Sequence, residues 1–129
     1  MPQPGLLLID DEPALADFVA NAARECGYAP RTARDERQFH DLFLEGTPDM
    51  VALDLGMPRM DGVELLRFLA AQSYRGPVLI ISGFDRRVLE SAFRLGEALG
   101  LTMVGPLEKP ARLDEVEAVL LSLKPMLAT

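Results

Sequence analysis

Cysteine, histidine and tryptophan are nearly missing from this sequence: Cys26 and His40 are single residues of their kind, and tryptophan is absent. One thiol closes no internal disulfide, so a reducing cytoplasm is the expected setting. Long apolar runs are missing too. The longest, Gly5 to Ile9 and Val78 to Ile81, are the size of buried strands and fall far short of the roughly 18 residues that cross a bilayer. Met1-Pro2-Gln3-Pro4 has no basic stretch leading into an apolar one, so no secretory signal is visible. Positive charge is scarce: 13 Lys and Arg stand against 20 Asp and Glu, a net charge of −7. Without a basic stripe the chain is a poor candidate for direct nucleic-acid binding, and any DNA-directed role needs a partner. What is present is apolar material, 49% of 129 residues with 26% charged, enough to close one core and too much for a disordered chain. A single domain over 1–129 is expected, its core running from about residue 5 to 124, with no linker, repeat or low-complexity tract.

Glycines and prolines divide the chain into short β-rich runs and longer stretches of helical period, alternating five times. Gly5 to Ile9 reads as a first strand, and its unbroken apolar character suits a strand covered on both faces. Leu15, Phe18, Val19, Ala22, Ala23 and Cys26 then fall on one face of a helix that begins at Pro13 and stops at Gly27. Tyr28 to Thr32 is a weaker strand. Asp35 to Glu45 is a second helix with Phe39, Leu42 and Phe43 inward, and Met50 to Leu53 a third strand ending at Asp54. Val63, Leu66, Leu69 and Ala70 mark helix three, Val78 to Ile81 the fourth strand, and Val88, Leu89, Ala92, Phe93 and Leu99 helix four. Leu101 to Val104 reads as strand five, and Leu113, Val116, Leu120 and Leu123 as helix five, ending near Leu123. Alternation of this kind predicts right-handed crossovers and a doubly wound α/β fold, a five-stranded parallel sheet flanked by five helices. In such sheets ligands bind outside the carboxyl ends of the strands.

The residues at those ends carry chemistry. Strand one runs into Asp10-Asp11, strand three into Asp54, strand four into Ser82, and strand five is followed by Glu108-Lys109-Pro110. Carboxylates gathered within a few ångströms repel one another, and either a raised pKa or a bound divalent cation resolves this. Oxygen donors without Cys or His favour a hard ion, Mg²⁺ or Mn²⁺, which leaves coordination positions for phosphate oxygens. With a lysine and a hydroxyl for further phosphoryl oxygens, the set suits phosphoryl transfer, and one aspartate can serve as nucleophile. Each piece alone has a plainer reading. Asp10-Asp11-Glu12-Pro13 reads as a helix start, Asp61-Gly62 as the turn opening helix three, Met57-Pro58 as a loop shaper, and Asp85-Arg86-Arg87 as a solvated helix start. His40 reads as a surface histidine and Cys26 as buried packing. The joint placement favours the functional reading.

Leu8-Ile9-Asp10-Asp11-Glu12, Asp54 to Gly62, Ile81-Ser82-Gly83 and Lys109-Pro110, in this order at matching strand ends, closely resemble the response regulator receiver domains of two-component signalling and phosphorelays. The resemblance spans Leu6 to Leu123. It implies the flavodoxin-like (βα)5 fold of chemotaxis regulators, with Asp54 as phosphoacceptor. It further implies Mg²⁺ held by Asp11, Asp54 and the Gly56 carbonyl, with Asp10 acting through a metal-bound water. Ser82 would take a phosphoryl oxygen, Gly83 would leave room for the group, Lys109 would pair with Asp54 and then with the phosphate, and Pro110 would follow a cis peptide bond. The implied donor is a sensor histidine kinase or a histidine phosphotransfer protein. The implied output is a change of the helix 4/strand 5/helix 5 face, read by an unknown partner. Such a protein is a cytoplasmic switch with weak self-phosphorylation and autodephosphorylation, not an enzyme in the ordinary sense. Gly56 and Phe84 occupy the positions that tune phosphoryl lifetime in the family.

Two departures stand out. Pro106 replaces the Tyr or Phe that many receivers carry three residues before the lysine, which excludes an aromatic switch there and leaves Phe84 as the nearest alternative. The stretch from Ser82 to Lys109 is longer than usual, which implies a helix four extended to about Leu99. Gly100 to Pro110 is similar to receivers preceding cyclic-di-GMP phosphodiesterase domains. No output domain is expected within the 129 residues. Pro106 favours a rival reading, a receiver-like interaction module independent of phosphorylation. A second rival is a small Mg²⁺-dependent phosphatase, which a chain of this size gives no second domain to shape a substrate pocket.

Overall fold

The computed structural model describes residues 3–55, 62–82, 86–109 and 111–127. Five strands and five helices alternate: β1 (Gly5–Ile9), α1 (Pro13–Glu25), β2 (Ala29–Ala33), α2 (Glu36–Glu45), β3 (Met50–Asp54), α3 (Gly62–Ala71), β4 (Pro77–Ser82), α4 (Arg86–Ala98), β5 (Thr102–Glu108) and α5 (Leu113–Leu127). All strand pairs are parallel, in the order β2-β1-β3-β4-β5. The order reverses between β1 and β3, so a crevice opens at the carboxyl ends of those two strands.

The period-two geometry of the strands builds two cores from one sheet. Leu6, Leu8, Ala52, Leu79 and Ile81 face α1 and α5, meeting Val19, Ala23, Val116 and Leu120. Leu7, Ile9, Val51, Leu53 and Val78 face the other layer, meeting Phe39, Phe43, Leu65, Leu66 and Leu69 of α2 and α3. Coverage on both faces is why β1, β3 and β4 are apolar at nearly every position. Tyr28 ties the α1 layer to α5 by donating its hydroxyl to the Leu120 carbonyl at 2.6 Å.

Local chemistry sets the helix ends. Asp35 caps α2 by accepting from the Gln38 amide at 2.8 Å, which moves that helix start one residue beyond the expected position. At the other end of α2, Arg31 from β2 donates to the carbonyls of Leu42 and Gly46 at 2.8 and 2.6 Å. Gly27 closes α1 with φ +86, a left-handed conformation that glycine adopts without cost.

Several boundaries differ from the sequence reading. β2 begins at Ala29, because Tyr28 turns its side chain into the core. β5 runs from Thr102 to Glu108, past Val104 and through Gly105-Pro106. The strand crosses that pair by a register shift opposite Leu79 and Ile81, with Gly105 at φ +90 and a cis bond between Gly105 and Pro106. β5 is an edge strand, where the missing N–H of proline is tolerated. α5 continues to Leu127, past the expected end near Leu123. His40 is half-buried where a surface residue was expected. Its ring stacks on Phe68 of α3 with centroids 4.0 Å apart, because the fold packs α2 beside α3.

Candidate functional site

Parallel pairing in register brings two aspartates together. Leu8 pairs with Ala52 and Ile9 with Leu53, so Asp10 and Asp54 stand side by side one step beyond the apolar rows. They are the two buried charged residues among those described, 3% and 2% exposed. Asp11 is exposed and completes the group: each of the three carboxylates offers an oxygen within 4.8 Å of the others. Charges buried in this way need countercharge and hydrogen bonds. Lys109, at the end of β5, supplies part of both. Its Nζ donates to Asp54 Oδ2 at 2.8 Å and lies 3.6 Å from Asp10 Oδ2.

One ammonium among three carboxylates leaves the crevice strongly negative, and the titration of its groups reflects this. Burial, followed by the neighbouring Asp54 carboxylate, pushes Asp10 up to about 6, although the Glu12 amide and Lys109 pull the other way. That amide donates to Asp10 Oδ1 at 2.9 Å, so Asp10 also shapes the turn into α1. Glu12 is the α1 N-cap but makes no side-chain cap, so a helix start accounts for little of this acidic run. For Lys109, burial works against the charged form. The hydrogen bond and charge of Asp54 outweigh it, with Asp10 and Glu12 adding, and hold the ammonium above its ordinary range. The contribution of Glu12 was not visible in the sequence, where it reads as a helix-start residue.

The donor set fits a hard divalent cation: three carboxylate oxygens at mutual reach, no sulfur or nitrogen ligand in the group, and a buried carboxyl whose ionised form Lys109 and the Glu12 amide compensate only in part. Ser82 closes β4 opposite Glu108, which puts its backbone on the same sheet edge as Lys109. The orientation of its hydroxyl lies outside what is described, as do Gly56, Gly83, Phe84 and Pro110 and with them the expected cis bond before Pro110. An exposed ion pair, Arg86 Nε to Glu108 Oε1 at 3.4 Å, joins the start of α4 to the end of β5 beside the crevice.

A doubly wound parallel sheet with three carboxylates in mutual reach and a buried aspartate–lysine pair at its carboxyl edge defines a class of small α/β domains. The chain belongs to the response regulator receiver domain family, whose family model matches residues 6–121. Response regulator MprA of Mycolicibacterium vanbaalenii is 34% identical over 80 residues, which cover 62% of this chain and 35% of that protein. A response regulator from Colwellia psychrerythraea superposes with a TM-score of 0.84 at 28% identity, covering 96% of this chain and 98% of that one. The receiver domain of Francisella response regulator 1452 gives 0.80 at 27% identity, covering 95% and 98%. The chain spans about a third or less of the length of the curated relatives it matches. Receiver domains are switches of two-component signalling that bind Mg²⁺ at an acidic pocket and work with histidine kinases and output domains. No helix among the described residues is long and apolar enough to cross a membrane.

Proposed function

We propose that Asp54 accepts a phosphoryl group from the phosphohistidine of a sensor histidine kinase or histidine phosphotransfer protein. The observation that carries this reading is the buried Asp54 carboxylate, hydrogen-bonded to Lys109 at 2.8 Å and flanked by Asp10 and Asp11. A carboxylate oxygen of Asp54 attacks phosphorus in line; the O–P bond forms as the P–N bond breaks, and the leaving imidazole nitrogen keeps the electron pair and takes a proton from solvent. Asp10, Asp11, Asp54 and the Gly56 carbonyl would hold Mg²⁺ or Mn²⁺, which when bound offsets the charge of the phosphoryl oxygens. Lys109 positions the Asp54 carboxylate at rest and then pairs with a phosphoryl oxygen. The Ser82 hydroxyl takes another.

Acyl-phosphate formation at Asp54 shifts a pre-existing equilibrium of the α4/β5/α5 face, which an output protein reads. With Pro106 in β5, backbone and α4 movement carry that shift in place of an aromatic rotation. In this reading the chain works in the cytoplasm and touches neither nucleic acid nor membrane itself. The test is intact mass after incubation with Mg²⁺ and acetyl phosphate, on the wild type, on Asp54→Ala, and on the wild type with EDTA. A gain of one phosphoryl group in the first sample alone is expected. No gain in any of the three, together with no Mg²⁺ binding, refutes the reading and favours a phosphorylation-independent interaction module.

A further inference from the structure

We propose that the ion pair between Arg86 and Glu108 is a latch that holds the start of α4 to β5 in the resting protein, and that its release lets α4 tilt toward α3. The signal that opens the latch rests on the Asp54 reading above. The helix has one fixed end and one loose end. The fixed end is at Gly96, which is buried. A Cβ there would collide with Met103 Sδ of β5, so helix and strand meet closely at the glycine, and the Gly96 carbonyl accepts the Leu101 amide at 2.9 Å.

The loose end is the first half of the helix. Leu89 is buried there, while Arg86, Val88, Glu90 and Ser91 are exposed. On the α3 side this half borders an open groove of about 640 Å³, lined by Leu55, Val63, Val88, Ser91, Ala92 and Leu95. On the β5 side the described residues show one ion pair, Arg86 Nε to Glu108 Oε1 at 3.4 Å. The first turn of α4 holds no acidic residue and a cation is disfavoured at a helix start, so β5 supplies a carboxylate that this turn lacks. Side chains 78% and 57% exposed make a pair of little weight for stability. That weight suits a switch: where two conformations differ by a small free energy, an interaction made in only one of them moves the populations severalfold.

Both ends of the latch are tied to the acidic crevice. Glu108 precedes Lys109, whose Nζ is held by Asp54 at 2.8 Å, and its backbone pairs with Ser82 in the sheet. Arg86 follows Ser82 by four residues. A phosphoryl group on Asp54 draws Lys109 from its resting partner and so shifts Glu108 against Arg86. The pair opens, and the groove gives α4 room to tilt about Gly96. The α4/β5 face then changes shape with proline, not an aromatic, at position 106.

The test is the distance between spin labels on Arg67→Cys of α3 and Glu90→Cys of α4, both exposed positions, in a Cys26→Ala background without acetyl phosphate. Arg86→Ala and Glu108→Gln are each expected to raise the short-distance population about two- to threefold. Salt at about 1 M does the same with the pair intact, because it screens charges beyond about 3 Å. Reversing the pair in Arg86→Glu/Glu108→Arg restores the starting distribution, which a change of local packing does not. With the label moved from Glu90 to Glu97→Cys, beside the fixed end, the distance holds; an equal shift there overturns the tilt. Distances that neither single substitution moves, or that the reversed pair fails to restore, overturn the latch. The link to the site is read on the same samples after Mg²⁺ and acetyl phosphate, with intact mass. A gain of one phosphoryl group is expected to bring the short-distance shift with the pair intact, and Arg86→Ala is expected to gain the group about two- to threefold faster. A mass gain without the shift refutes the link to phosphorylation. Absence of any mass gain refutes the Asp54 reading, and the latch then stands or falls on the distances in the untreated protein.

Discussion

Asp10→Asn separates the cost of the acidic crevice from its use. Asp10 sits at 3% exposure with its carboxyl pushed up to about 6 from 3.8. A carboxyl raised in the folded state holds its proton better there than in the unfolded chain. The stability this confers is complete below about 3.8 and is lost as the pH rises through about 6. Above that, ionised Asp10 costs the metal-free fold about 3 kcal/mol, since about 2.2 pKa units correspond to roughly that free energy. Lys109, 3.6 Å away, offsets part of the cost. Asparagine imitates the protonated form and keeps an oxygen for the Glu12 amide that Asp10 Oδ1 accepts at 2.9 Å. Urea denaturation in EDTA at pH 7.5 is expected to find the variant more stable by about 3 kcal/mol, a gain that shrinks as the pH falls from 6 to 4. Mg²⁺ at one hundred times the wild-type Kd narrows the gap, because the wild type then gains about 2.7 kcal/mol and the variant gains less. Mg²⁺ affinity of the wild type weakens as the pH falls through about 6. Equal stabilities at pH 7.5 without metal, or a gain that does not shrink between pH 6 and pH 4, would refute this account of the crevice.

Three further substitutions probe the scaffold. Arg31→Ala removes the two hydrogen bonds that close the α2 carbonyls of Leu42 and Gly46; chemical denaturation is expected to report a loss of about 1 to 2 kcal/mol, partly restored in Arg31→Lys. Gly105→Ala puts a side chain at φ +90 with its Cβ 2.9 Å from Leu79 Cδ1 and 3.1 Å from the Leu107 amide nitrogen; a drop in melting temperature equivalent to about 1 to 3 kcal/mol is expected, and an unchanged melting temperature counts against the described path of β5. Tyr28→Phe deletes the buried bond to the Leu120 carbonyl at 2.6 Å; a cost of about 1 to 2 kcal/mol and faster amide exchange in α5 are expected by hydrogen-exchange measurements.

The architecture was legible because burial on both faces leaves a strong mark on a strand. Leu6 to Ile9, Met50 to Leu53 and Val78 to Ile81 are continuous apolar runs for that reason, and Asp10, Asp54 and Ser82 are conspicuous as the polar residues that end them. Edges were harder to read. β5 is an edge strand with a half-exposed pattern, so Gly105-Pro106 looked like its end; only the pairing with β4 carries the strand through to Glu108. The end of α5 was placed near Leu123, and the helix runs on to Leu127. The stacking of His40 on Phe68 depends on α2 lying beside α3, which no local pattern encodes.

The sequence by itself determined the alternation of elements, the identity of the acidic and basic groups, and their placement at strand ends, since spacing and polarity are local properties of a chain. Tertiary structure decided how those ends meet. Parallel register set Asp10 against Asp54, and the sheet order carried Lys109 across to 2.8 Å from Asp54. The resulting burial raised Asp10, because desolvation and charge coupling depend on the distances between groups far apart in sequence.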